Sequence, residues 1–162
     1  LSDTQVNGLL EHLRGESRQI VIVLLDTGIR TGELHKLLWS DVAFDQLRII
    51  IRHETKNKRQ RGIPLTQRAY DIIVERHKKR DSITVFTVKD IKHQMAVAAS
   101  KAKIGHTTPH QLRHTFATRL LDRGIPLNDV QYLMGHSDPK LTQRYDHPRP
   151  HRHRAAIEAL GE

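Results

Sequence analysis

The chain reads as an α+β domain, mostly α-helical, with one small antiparallel sheet of about three strands. Three observations carry that expectation. Apolar residues recur at helical spacing along most of the sequence. Several of these stretches open on Ser or Thr with Gln three positions later, or close on Gly. A single isoleucine-rich run, 47–53, is followed by a polar, basic turn and a shorter return run, 62–65, in the manner of a hairpin.

Taken in order, Ser2 and Gln5 form a capping box ahead of Val6, Leu9, Leu10 and Leu13. An apolar helix over 18–27 stops at Gly28, and a shorter one carries Glu33, Leu34, Leu37 and Leu38. Pro64 places the second strand at an edge or at its own end, because proline cannot donate to a ladder. Thr66 caps a helix to about residue 79, and residues 83–86 supply a third short strand. Val88, Ile91, Met95, Ala98, Ala99 and Ala102 mark an amphipathic helix. Thr108, Pro109 and Gln111 combine an N-cap, a first-turn proline and a capping-box partner, opening a helix that ends at Gly124. Shorter helices follow over 128–134 and 139–145, then a His-, Pro- and Arg-rich tail and a last helix over 154–160.

Composition narrows the function classes. A length of 162 residues suits one domain with a real core. The longest apolar run, 20–25, is far short of the roughly 20 residues a membrane span requires. The absence of cysteine removes disulfides, thiolate metal sites and cysteine nucleophiles. A formal charge of +9 favours a polyanion such as nucleic acid, with a solvated basic surface as the plain alternative. Aromatics are only 4% of residues, so phosphate contacts are expected to outweigh base stacking.

The window 108–145 gathers His110, Arg113, His136 and Tyr145. A guanidinium fork fits phosphate, imidazoles carry protons near neutrality, and a phenol can act as a covalent nucleophile. His110 and Arg113 are three apart on one helix and so share a face. On spacing alone, an ordinary surface cation and a satisfied polar histidine remain the simpler readings, and a lone Tyr145 is more often a packing residue. Arg30, at the junction after the Gly28 stop, reads as a cap or a partner of Glu33 or Asp41. Lys56 sits in a turn with Lys58, Arg59 and Arg61, where charge pattern singles out no one lysine.

The combination is what discriminates. TGIRTGEL at 27–34, TKNKRQRGIPL at 55–65, HQLRHTFAT at 110–118 and VQYLMGHSDPKLTQRYDH at 130–147 resemble, in order, the catalytic domain of the tyrosine recombinase (lambda-type phage integrase) family. That resemblance implies a recombinase that cleaves and rejoins duplex DNA at a specific site through a 3′-phosphotyrosyl link, with neither metal nor ATP. It implies that Arg30 and Arg113 bind the nonbridging oxygens of the scissile phosphate and that Tyr145 attacks phosphorus. Lys56 is implied as the general acid for the 5′ oxygen, His110 as a carrier of the tyrosine proton, and His136 as a phosphate hydrogen-bond donor. Glu33 is implied as a supporting partner rather than a catalyst. Lys58, Arg59 and Arg61, at a basic hairpin tip, read from charge pattern as a solvated loop or as nonspecific DNA contacts, and DNA contact is the expectation taken here. No cofactor is expected.

The same resemblance implies that residues 1–162 are a single catalytic domain excised from its N-terminal core-binding domain. Alone it would be monomeric; on DNA it would form a homo-tetramer, with the tail 146–162 and its Ala155, Ile157 and Leu160 docking on a neighbouring protomer. The tail histidines His147, His151 and His153 lack a second ligand motif, which argues against a metal site. The expected setting is a bacterial cytoplasm, with a phage or mobile element as a source of the chain, and no membrane or small-molecule partner is expected. Two other readings share the chemistry or the fold: a type IB topoisomerase-like relaxing enzyme, and a DNA-binding module without catalysis.

Overall fold

A computed structural model describes residues 1–52 and 60–135. Seven α-helices, two short 3-10 turns (Trp39–Asp41 and Phe44–Gln46) and three strands occupy these residues: α1 (Asp3–Glu11), α2 (Gly15–Thr27), α3 (Thr31–His35), β1 (Val42–Ala43), β2 (Arg48–Ile51), β3 (Arg61–Pro64), α4 (Gln67–Lys78), α5 (Lys92–Lys101), α6 (Pro109–Asp122) and α7 (Leu127–Met134). The sheet runs β1-β2-β3, antiparallel throughout, with Val42 opposite Ile49 and Ile49 opposite Ile63.

The apolar α2 is the central element. Residues 20–25 are buried around its whole circumference, with α1, α4 and α6 packed against it. A helix apolar on every side is stable only when enclosed in this way. The caps fall where the sequence puts them. Ser2 and Gln5 exchange hydrogen bonds of 3.2 and 2.9 Å, and Thr108 and Gln111 do so at 3.4 and 2.8 Å. Among the described residues no helix is long and apolar enough to cross a membrane.

The sheet differs from expectation in one strand. The third strand is β1, and residues 83–86 contribute only an isolated bridge between Leu38 and Thr84. The reason is a missing alternation: Val85 and Phe86 are both fully buried while Ile83 is 79% exposed. A ladder strand would alternate faces. β2 starts at Arg48 because Leu47 adopts the left-handed region (φ 47°), which breaks the extended run. The helix expected from residue 88 begins at Lys92, whose amide is capped by Asp90 Oδ1 at 2.8 Å. Val88 instead donates its amide to Glu16 Oε1 at 2.8 Å. The short α3 likewise ends at His35, leaving Leu37 and Leu38 in the connection to β1. Trp39 is part-buried and donates its indole N–H to Ser82 O at 2.8 Å, which fixes it as a packing residue. The helices expected over 139–145 and 154–160 lie outside the described residues.

Candidate functional site

Two helix ends meet a third helix at one place. α2 closes on Gly28, whose left-handed backbone (φ 63°, ψ 14°) donates its N–H to Leu24 O at 3.0 Å. The turn sends Ile29 into the core and leaves Arg30 part-exposed at the start of α3. There the Arg30 amide donates to Glu33 Oε2 at 2.9 Å, so Glu33 satisfies one of the orphan donors of its own helix. α7 closes on Gly135, also left-handed (φ 61°, ψ 42°).

Three arginines from three separate elements end on three consecutive carbonyls at this α7 terminus. Arg61 Nε, from β3, donates to Leu133 O at 3.2 Å. Arg113 Nη2, from α6, donates to Met134 O, and its Nη1 reaches across to Gly28 O. Arg30 Nη2 donates to Gly135 O at 3.2 Å. These carbonyls are the orphan acceptors at the negative end of a helix dipole, where cations are stabilising. The arrangement fixes the guanidiniums of Arg30 and Arg113 beside one another through adjacent peptide units.

Burial separates their roles. Arg113 is 5% exposed, which excludes the surface-cation reading that spacing alone favours. Arg30 keeps 42% of its side chain open to solvent and can meet a ligand. His110, one turn before Arg113 on α6, is exposed. Arg61 requires a correction: it was expected, with Lys58 and Arg59, to contact DNA. It is 3% exposed and forms a two-pronged pair with Glu33, Nη2 to Oε2 at 2.7 Å and Nη1 to Oε1 at 3.1 Å. Its place in the strand explains this, because Arg61 and Ile63 share the inward face of β3. Lys56, Lys58, Arg59, His136 and Tyr145 lie outside the described residues. His136 is the next residue in the chain after the arginine-bound Gly135.

Sequence reasoning missed the backbone half of this site. The carbonyls of Gly28, Leu133, Met134 and Gly135 carry no side-chain signature. The usable signals are the two helix-ending glycines and the strand alternation through Arg61 and Ile63.

The Glu33 carboxyl joins these parts. Burial pushes its pKa up, but hydrogen bonds from Arg61 and the Arg30 amide, with both guanidinium charges, outweigh burial and hold it below its ordinary value of 4.5. A carboxyl with a depressed folded-state pKa contributes stability that is full above the unfolded value. That contribution is lost as pH falls through the folded value. Urea unfolding from pH 7 downward should therefore show wild-type stability falling below pH 4.5, more steeply than in Glu33→Gln. Parallel curves for the two proteins below that pH would show that Glu33 gains nothing from its partners.

Comparison with known proteins follows the same lines. A model described as the phage integrase family matches residues 1–152. The chain is 32% identical over 164 residues to tyrosine recombinase XerA of Pyrococcus furiosus, covering 90% of this chain and 56% of that protein. It superposes on the catalytic domain of bacteriophage HP1 integrase with a TM-score of 0.78 at 26% identity, covering 98% of this chain and 92% of that one. A Tn1549 transposon integrase solved in complex with a circular intermediate DNA gives a TM-score of 0.84 at 26% identity, covering 98% of this chain and 65% of that one. The chain spans about half the length of the curated relatives it matches, 45%, 53% and 56% of three of them.

Proposed function

The chain belongs to the phage integrase family of tyrosine recombinases, and on that premise we propose that it is the catalytic domain of a site-specific recombinase acting on duplex DNA. The observation that carries the proposal is the pairing of Arg30 and Arg113 on the adjacent carbonyls of Gly135 and Met134. Two guanidiniums held side by side, one of them part-exposed, suit the two nonbridging oxygens of a phosphodiester. The Tn1549 integrase, solved with DNA, supports the choice of ligand.

In the proposed reaction the Tyr145 phenolate oxygen bonds to phosphorus as the P–O5′ bond breaks. His110 takes the phenol proton, and Lys56 gives a proton to the departing 5′ oxygen. The product is a 3′-phosphotyrosyl ester and a free 5′ hydroxyl, and rejoining is the same step reversed. The ester keeps the energy of the bond it replaced, so no nucleotide cofactor enters. Negative charge grows on the equatorial oxygens in the transition state, and prearranged cations stabilise that state more than the ground state. His136 would add a hydrogen bond to the same oxygens.

The test uses a pool of nicked duplexes with randomised site sequence, incubated in EDTA and run on a denaturing gel. A protein–DNA adduct that survives denaturation is expected. Cleaved ends without an adduct, appearing only when a divalent metal is supplied, would replace strand transfer with metal-dependent hydrolysis.

A further inference from the structure

We infer that Arg61 is a positioning residue for Arg30: it fills acceptor positions on Glu33 that Arg30 would otherwise occupy, and so keeps Arg30 available for the phosphate. The inference rests on the strand-transfer reading above. A carboxylate offers about four lone-pair positions. At Glu33, Oε1 accepts from Arg30 Nη1 at 3.2 Å and from Arg61 Nη1 at 3.1 Å. Oε2 accepts from the Arg30 amide at 2.9 Å and from Arg61 Nη2 at 2.7 Å. These four bonds fill the carboxylate, and Arg61 supplies two of them.

Arg30 is thereby limited to one side-chain nitrogen on Glu33, and its Nη2 goes to Gly135 O at 3.2 Å. An arginine beside an open carboxylate favours the bidentate fork. With Arg61 gone, Arg30 is expected to close on Glu33, leave Gly135, and spend its charge in an internal ion pair. Arg61 is well held for this work. Its Nε is fixed by Leu133 O at 3.2 Å, and its guanidinium lies against Gly135, where an added Cβ would fall 2.5 Å from Nη1. Its two terminal nitrogens are engaged with Glu33 and its Nε with Leu133 O, so it acts through Glu33 and Arg30.

The experiment measures single-turnover adduct formation on the nicked duplex pool at saturating protein, with rates scaled to the folded fraction from urea unfolding. Arg61→Met is expected to slow the step by roughly 10–100-fold, as misplacement of a catalytic group does, while the Kd for the same DNA changes far less. Adding Glu33→Gln to Arg61→Met should recover part of the rate, because a neutral amide competes weakly for Arg30. A double variant no faster than the single one overturns the inference. Should Arg61→Met fail to fold, Arg61→Lys carries the test. Lysine keeps the charge but offers one nitrogen in place of a fork, so the slowing is expected to persist, and a wild-type rate in Arg61→Lys overturns the inference. A wild-type protein that forms no adduct overturns the strand-transfer reading itself, and this inference falls with it.

Discussion

Arg113→Ala is expected to cost the folded protein about 2–5 kcal/mol and to remove most strand cleavage. The stability loss follows from what the side chain holds. It links the last peptide of α2, at Gly28 O, to the last turn of α7, at Met134 O. Both acceptors are helix-end carbonyls without an intrahelical partner. Each one left buried and unsatisfied costs about 1–3 kcal/mol. Removing a buried cation returns part of its desolvation cost, which sets the lower end of the range. The rate loss is a separate effect, on the order of 10²–10³ for one oxyanion-stabilising group. Arg113→Lys sharpens the distinction: it keeps a charge but replaces the fork with a single nitrogen, so it should recover more stability than rate. Urea unfolding and single-turnover adduct assays measure the two effects independently. An Arg113→Ala protein with the wild-type urea midpoint would show that the two carbonyls do not depend on this side chain.

Gly28→Ala is expected to be about as damaging, again about 2–5 kcal/mol, for a steric reason. A Cβ at this position would lie 2.1 Å from Phe116 Cδ1 and 2.6 Å from Cε1, and the backbone is left-handed at φ 63°. The left-handed region costs an L-residue about 1–2 kcal/mol, and overpacking a core costs about 1–3 kcal/mol more. The same residue offers its carbonyl to Arg113, so a turn that shifts to admit the methyl also moves the guanidinium. Activity should therefore fall further than the folded fraction. Phe116→Val deletes the two nearest ring carbons. In a double-mutant cycle it should offset Gly28→Ala by about 1 kcal/mol or more. Strict additivity would place the cost in the backbone alone.

Much of the fold was legible because its signals are local. Caps at Ser2 and Thr108 and the stop at Gly28 bound three of the helices within a few residues. The third strand was not, since β1 is two residues long and owes its pairing to β2 rather than to any pattern of its own. The site divides in the same way. Arg113 shares a helical stripe with the buried Phe116 and Ala117, so its burial could be read from spacing three and four. Arg61 was hidden by its neighbours, because a basic run reads as a solvated turn. Its place two residues before Ile63, on the inward face of β3, is what marks it. The carbonyl acceptors were beyond sequence reasoning, since they depend on where two helix ends meet.

In the proposed reaction Tyr145 becomes covalently joined to a DNA 3′ phosphate held by the Arg30 and Arg113 guanidiniums. Mass-spectrometric mapping of the tryptic peptide left on nuclease-treated adduct tests it most directly. The expected result is a nucleotide carried on Tyr145 through its 3′ phosphate, with no adduct from Tyr145→Phe. A modified peptide lacking residue 145, or an adduct that persists in Tyr145→Phe, would contradict it.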